Sequence, residues 1–580
     1  MRHLLLSSFA AFAACLLFAG CGSSSSSKPA NQNDGKLNGT YVFQQQVYTY
    51  YSDVESSAAR SHTARSAQVR RLARPKALDE TSSLHRPFHR LVTSSARPVA
   101  AQGSDPNNTG VVWGAMVGSL TFDGKGKVTG GEIDYNEPQM GYFKDTVRGD
   151  YTIFHDNSGT IQIVSKTQGA TFFFNIALEG SGSTAAGAQM VESYSDNDGN
   201  VEIGTGVMLR QSSGVSQSSL SGNYVFGMQG ETCYGCSLPS VGDLYAAGVL
   251  AANGSGGFSS SSEADVATVF ATQNAVPLSG TYGQPDSFGR SAVSLNSNGA
   301  MPQNYVLYAA SSSKFFLLAT DSSSSEAPAY LFGEAGLQSG TFSNATLSGN
   351  YVLAENTEDL QNEQYLDTYS DAYLALLSAS GGHVTGTGDA NKAGNVSSNV
   401  AYNYGAYTVQ PNGRVTFTGT TPSGAPAPVL WLQNSSFGYG IDQLRGSTTT
   451  QEPGLIYLFA QQAGSGYNAA SLNGYYALGT LPAATSNSFL YIAAVTSDGS
   501  ANLSGSGATS FFDQDGGSGG TGSANGKYTI SSDGRGTITG TNDSIFGDGI
   551  LYTVSGAQSV TMDVSDGDIA PSLQTFGIGS

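Results

Sequence analysis

Charge, histidine and cysteine are scarce in this chain. Only 12% of its residues are charged, and 580 residues hold six histidines, four cysteines and two tryptophans. Outside the N-terminus and a basic segment discussed below, the histidines reduce to His155 and His383. A Ser–His nucleophile pair is therefore poorly supplied, and a zinc site lacks the paired ligands it needs. No long segment after the N-terminus repeats its apolar residues with a 3.6-residue period, which argues against a helical fold. The chain ends "TFGIGS" without a terminal aromatic, and its β-prone runs are short and rich in Ser and Gly. Both features count against a porin-like membrane barrel.

Glycine, at 75, and the aromatics, with 30 tyrosines and 27 phenylalanines, are abundant. Large rings to bury mean that the chain folds, and Gly-rich turns between short aromatic runs mean strands. At this length one core is not enough, so several units are expected.

The N-terminus reads as an address. Arg2 and His3 precede the apolar run Leu4–Phe18, then Ala19–Gly20–Cys21. The run is too short to span a bilayer and has the form of a secretory signal. Small residues directly before Cys21 make it resemble a bacterial lipobox, with Phe18 at a place that is usually aliphatic. The resemblance implies lipidation of Cys21, removal of residues 1–20 as a signal peptide, and a flexible tether over 21–36 beginning "GSSSSSK". Gly22 follows the cysteine, so the inner-membrane retention signal of enteric bacteria is missing and outer-membrane anchoring is expected.

Four phrases share the form Leu-x-Gly-x-Tyr: Leu37–Gly39–Tyr41, Leu220–Gly222–Tyr224, Leu347–Gly349–Tyr351 and Leu472–Gly474–Tyr476. A second phrase, Gly-x-Tyr, recurs at Gly149–Tyr151, Gly280–Tyr282, Gly405–Tyr407 and Gly526–Tyr528. The last three units are near-equal in length, and the excess of the first lies between its two phrases. Gly-rich turns such as "FDGKGKVTGG", "SASGGHVTG" and "TSDGSANLSG" separate short strands, and "PNGRVTFTG" and "SDGRGTITG" repeat the device. About eight hairpin-linked strands per unit predict an all-β protein of tandem antiparallel up-and-down barrels of lipocalin or streptavidin size. The opening Gly-x-Tyr resembles the Gly-x-Trp that starts such barrels. The alternative is a β-propeller built from four-stranded half-units, each opened by one Gly-x-Tyr. The predicted units are repeat 1 over 37–215, repeat 2 over 216–342, repeat 3 over 343–466 and repeat 4 over 467–580. Lipobox and repeats together resemble the uncharacterised repeat lipoproteins of Gram-negative bacteria, which imply no activity.

Candidate chemistry is thin. Cys233 and Cys236, in "CYGC", are expected to form a small loop-closing disulfide, because "SLPSVGDLY" after them is no helix start for a redox motif. "GGSGG", Gly516–Gly520, matches a hydrolase elbow only formally and reads as a loop. Asp196, Asp198 and Glu202 lie close together, as turn residues or as a calcium loop without EF-hand spacing. No cofactor and no metal are expected.

An insertion over 52–103 interrupts the first unit. It carries nine basic residues against Asp53, Glu55, Asp79 and Glu80, while the whole chain has a net charge of −19. It is expected to be disordered and either to settle on the acidic body or to contact an anionic surface; without interleaved aromatics it predicts no specific nucleic-acid recognition. Two readings of function follow. One is a non-catalytic lipoprotein held in the membrane by its lipid, acting as a structural element or binding a small hydrophobic ligand or glycan. The other is a secreted enzyme whose carboxylates meet only in the fold.

Overall fold

A computed structural model describes residues 33–50 and 111–577, apart from 138–140, 181, 196–200, 234–240, 269–270, 322–328, 359–369, 444–452, 464–465, 484–487, 514–515, 542–543 and 565–570. The described residues form four successive antiparallel barrels, each of eight strands in chain order. Their first strands are Asn38–Tyr50, Ser221–Cys233, Gly349–Glu358 and Asn473–Thr480; their last are Val201–Arg210, Ala329–Leu337, Leu455–Ala460 and Leu573–Gly577. In all four barrels the last strand pairs back with the first. In the fourth, the fourth strand is in two pieces, Gly516–Ser523 and Gly526–Ile530, both paired with Asn502–Asp513. That strand also pairs with Leu490–Asp498 and completes the ring.

The propeller alternative is thereby overturned, and the two repeated phrases acquire separate jobs. The glycine of each opening phrase has positive φ: 101° at Gly39, 117° at Gly222, 99° at Gly349 and 116° at Gly474. Side chains rarely adopt this conformation, so glycine is kept there. The second tyrosine opens no half-unit. Its hydroxyl crosses the barrel mouth and donates to the leucine carbonyl of the opening phrase: Tyr151 to Leu37 at 2.8 Å, Tyr282 to Leu220 at 2.6 Å, Tyr407 to Leu347 at 2.6 Å and Tyr528 to Leu472 at 2.9 Å. The first tyrosine donates to the turn between the sixth and seventh strands, at Ala185, Ser312, Ser435 or Gly556. The two rings close one end of every barrel beneath the entering chain, which makes a 3-10 turn there in barrels 1, 2 and 4.

Side chains fill the interiors. In barrel 1, Tyr41 and Phe43 point inward with Phe122, Ile133, Tyr135, Phe174 and Met190. The alternate residues Val42 and Tyr48 point outward, as the two-residue period of a strand requires. Outward faces differ by strand. In barrels 1 and 2 the fourth and fifth strands alternate buried and exposed residues because water covers their outer side. Strands such as Val111–Asp123 and Asn304–Ser311 are buried almost throughout, because the outer side meets another barrel.

Those outer faces join the barrels head to tail. Strands one to three of each barrel pack on strands six to eight of the next, and those of the fourth pack on the first. The four barrels form a closed ring.

The Gly516–Gly520 stretch, expected as a loop, is strand. Its neighbour Asn502–Asp513 supplies a full ladder, with Ser518 opposite Phe511, and glycine gives up no backbone hydrogen bond. No strand–turn–helix elbow exists there. The insertion 52–103 lies outside the described residues; the strands on either side of it are partners, with Tyr50 opposite Val111.

Candidate functional site: buried acids and the joints between barrels

The sequence-predicted sites fall largely beyond view. Cys21 and Cys236 lie outside the described residues, and Cys233 ends the first strand of barrel 2. Asp196 and Asp198 are also outside, whereas Glu202 is described and lies within the strand Val201–Arg210. His383 begins the third strand of barrel 3, and His155 lies in the turn before the fifth strand of barrel 1, so the structure does not bring the two together.

Glu202 belongs to a site that sequence reasoning missed. It points into barrel 1 at the end away from the tyrosine closure, with Glu192, Glu137, Gln45 and Tyr135. Glu192 is fully buried and accepts from Gln45 Nε2 at 2.5 Å. One oxygen each of Glu192, Glu202 and Gln45 accepts no hydrogen bond. Burial, reinforced by the charge of Glu137, raises the Glu202 carboxyl to about 8, against hydrogen bonds from Glu192, Tyr135 and Thr49. Burial and then the charge of Glu202 push Glu192 well above the ordinary carboxyl range. The pair therefore retains protons at neutral pH.

Barrel 3 repeats the theme. Glu355 occupies the place of Gln45, four residues after the opening tyrosine, and Asp442 the place of Glu192. Burial raises Glu355, with Asp442 and Asp371 adding to it and Lys392 opposing. Asp442 is raised by burial too. In barrel 2 the two places hold Met228 and Ala319, both in the core. The sequence does carry a signal: each acid stands in phase with the inward apolar residues of its strand, where an ordinary core would be apolar.

A carboxyl that holds its proton at neutral pH can serve as a general acid. Two cavities among the described residues do not touch these acids. One is an interior void of about 10 Å³ in barrel 4, beside Tyr491 and Thr561. The other is an open groove of about 410 Å³ between barrels 4 and 1. The described acids are also not arranged to hold a metal ion.

The second arrangement missed is at the joints. The fifth strand of barrels 2, 3 and 4 begins with arginine: Arg290, Arg414 and Arg535. Each guanidinium grips an aspartate on the third strand of the preceding barrel with two hydrogen bonds. Arg290 holds Asp134 at 2.7 and 2.8 Å, Arg414 holds Asp265 at 2.8 and 2.6 Å, and Arg535 holds Asp389 at 2.7 and 2.8 Å. An aromatic from the arginine's own barrel donates to the same carboxylate: Tyr308 at 2.6 Å, Trp431 Nε1 at 2.8 Å and Tyr552 at 2.6 Å. The three aspartate side chains are fully buried. Burial disfavours ionisation of Asp389, but Arg535, Tyr552 and Ser398 outweigh it and hold the carboxyl below its ordinary value. Fork-on-fork pairing of this kind fixes orientation as well as contact.

A glutamine accompanies each clasp. Gln211, Gln338 and Gln461 follow the last strand of their barrels and donate to two carbonyls of the next: Phe288 and Ala309, Asn412 and Leu432, Asp533 and Thr553. Each amide lies against the glycine before the arginine. A Cβ on Gly289, Gly413 or Gly534 would sit 2.2–2.5 Å from the glutamine Nε2.

No protein-family model and no curated protein matches the sequence. Among solved structures, the chain is similar to a double mutant of the vaccine antigen Transferrin Binding Protein B from Haemophilus parasuis. Identity is 10%, the match covers 69% of this chain and 84% of that one, and the TM-score is 0.16. A single mutant of the same antigen gives 11%, 67%, 82% and 0.16. So slight a likeness carries no functional conclusion.

Proposed function

We propose that the protein is a lipid-anchored scaffold of the outer membrane, non-catalytic, whose ring of barrels offers a surface for a ligand or glycan. The observation that carries this reading is the triple Asp–Arg clasp. It joins side-chain-filled barrels into one body, as a rigid display platform needs. The tether from Cys21 arrives at Asn33, on the end closed by the tyrosines. The first strand then runs away from it for 13 residues. At roughly 3.3 Å per residue the insertion leaves the barrel up to about 40 Å further out. In this reading its basic residues contact an anionic surface. In the same reading Cys233 and Cys236 form a disulfide.

A second reading, a secreted enzyme using paired carboxylates, is favoured by one observation, the proton-retaining Glu192–Glu202 pair. It requires an opening in barrel 1 that admits substrate.

Anchoring is tested by replacing Cys21 with serine. The variant is expected to leave the membrane fraction and appear in the soluble extracytoplasmic fraction, while the parent sediments with outer membrane. A Cys21→Ser form that still sediments would overturn the lipid anchor.

A further inference from the structure

The ring has four joints, and among the described residues three of them carry a clasp. At the joint between barrels 4 and 1, Ser158 stands where the other barrels have arginine. It follows a positive-φ residue as they do, Asn157 at 71° against Gly289, Gly413 and Gly534 at 78–93°. The aspartate position on barrel 4 is Ala508. It lies opposite Ile492 on the outward face, as Asp134 lies opposite Val117. Other bonds hold this joint: Gln46 exchanges two with the Ala483 backbone, Thr205 donates to the Thr480 carbonyl and Tyr475 to the Leu178 carbonyl. Ser506 donates to Asp156, and its Oγ is 3.2 Å from that of Ser158.

No glutamine follows Gly577 in the sequence. Besides Ser506, the side chains of Asn33 and Lys36 bond to this turn. Asn33 Nδ2 donates to the Phe154 and His155 carbonyls at 3.3 and 3.0 Å, and Lys36 Nζ donates to Asn157 Oδ1 at 2.6 Å. Asn157 carries a side chain where the equivalent glycines face a glutamine amide. The clasp is absent here, yet the two barrels pack closely, with Ala477, Ile492 and Ala508 buried in one cluster with Val42, Val191 and Ile203. The groove of about 410 Å³ lies here, lined by Lys36, His155, Asn157, Tyr475 and Thr496 among others. Tyr475 is itself a departure: the same place in the other opening phrases holds Thr40, Asn223 and Asn350. Its hydroxyl is engaged by the Leu178 carbonyl at 2.7 Å, which fixes the ring.

We infer that this groove binds a short neutral saccharide. Its volume is in the range of small-molecule sites. Its lining mixes donors with acceptors and includes one partly exposed, fixed aromatic ring, which suits a ligand whose hydroxyls both donate and accept and whose ring carbons need an apolar face. The Lys36 ammonium and the Asp156 carboxylate offset each other, so the site favours neither a polyanion nor a cation. A lining this polar does not suit an acyl chain. The inference rests on the binding reading above and gives it a place and a ligand class. Its failure would leave membrane anchoring untouched.

Saturation-transfer NMR on the full-length protein, with maltose, lactose and chitobiose at millimolar concentration, tests it. At least one sugar is expected to receive saturation from the parent. Tyr475→Asn, which restores the residue of repeats 2 and 3, is expected to weaken binding at least tenfold. Ser158→Arg with Ala508→Asp installs the missing clasp and is expected to abolish binding with the melting temperature held or raised. If the double variant fails to fold, Tyr475→Asn decides the matter alone. No saturation of any of the three sugars by the parent overturns the inference, and so does saturation that persists undiminished in the folded variants.

Discussion

Replacing Arg414 with alanine is expected to cost the protein about 3–5 kcal/mol, the usual penalty for stranding one member of a buried ion pair. Asp265 would be left with only the Trp431 indole and the Ala275 amide beside it, on a side chain that water does not reach. Arg535→Ala is expected to cost less, because its side chain is already 32% exposed against 9% for Arg414. Water then compensates part of the loss. Replacing both members of the central clasp, Asp265→Leu with Arg414→Met, is expected to recover much of the stability, since no uncompensated charge is left. Urea unfolding of the four proteins, followed by tryptophan fluorescence, makes the comparison. Trp431 sits in this joint and reports on it directly. An Arg414→Ala protein as stable as its parent would remove the clasp from the account.

Acidity is expected to stabilise the fold between pH 8 and pH 5, against the ordinary trend for an acidic protein. The folded state holds the Glu202 proton up to about pH 8, whereas an unfolded glutamate releases it near 4.5. The folded state therefore binds more protons in this interval. The contribution is complete below about pH 4.5 and is lost as pH rises through the folded value. Glu192 acts in the same direction, and Glu137, Tyr135 and Thr49 also face the pair. Below about pH 4 the sign reverses, because Asp389, Asp156 and Asp145 are held under their ordinary values by their partners and lose them on protonation. Maximum stability is expected near pH 4.5–5. Glu202→Gln, neutral at every pH, is expected to gain on the order of 2–4 kcal/mol relative to the parent at pH 8 and little at pH 5. Melting temperatures of both proteins across this range test it. Equal slopes would show that Glu202 is ionised in the folded protein.

Local geometry made the barrels readable. Gly39, Gly222, Gly349 and Gly474 recur because a positive φ is needed at one place in every unit, and a requirement on one residue leaves a mark in the sequence. Tyr151 and its three counterparts recur because each hydroxyl has one carbonyl to reach. Their shared letters with the opening phrase suggested half-units, yet the two phrases serve opposite sides of one closure. The joints were harder to see. "PNGRVTFTG" and "SDGRGTITG" read as turns, which they are, but their arginines bond aspartates 149 and 146 residues upstream in another barrel. Nothing in a turn points to such a partner. The recurrence of both Arg and Asp in three units was the available clue, along with the Ser158 and Ala508 that break it. The buried acids were hidden for a different reason: in a chain this acidic, one more glutamate in a strand looks like a solvated face until the inward register is known.

Closure of the ring is the central claim, and a cross-link reports on it most directly. Ser158 and Ser506 lie 348 residues apart in the chain, with their hydroxyls 3.2 Å apart across the joint. Cysteines at both positions, in a Cys21→Ser background, are expected to form an intramolecular disulfide under mild oxidation. The covalent loop would run faster than the reduced chain on a denaturing gel, and labelling would find neither new thiol free. Free thiols at both positions in the folded, oxidised protein, or disulfides only between chains, would mean that barrels 1 and 4 do not meet and that the four barrels form an open string.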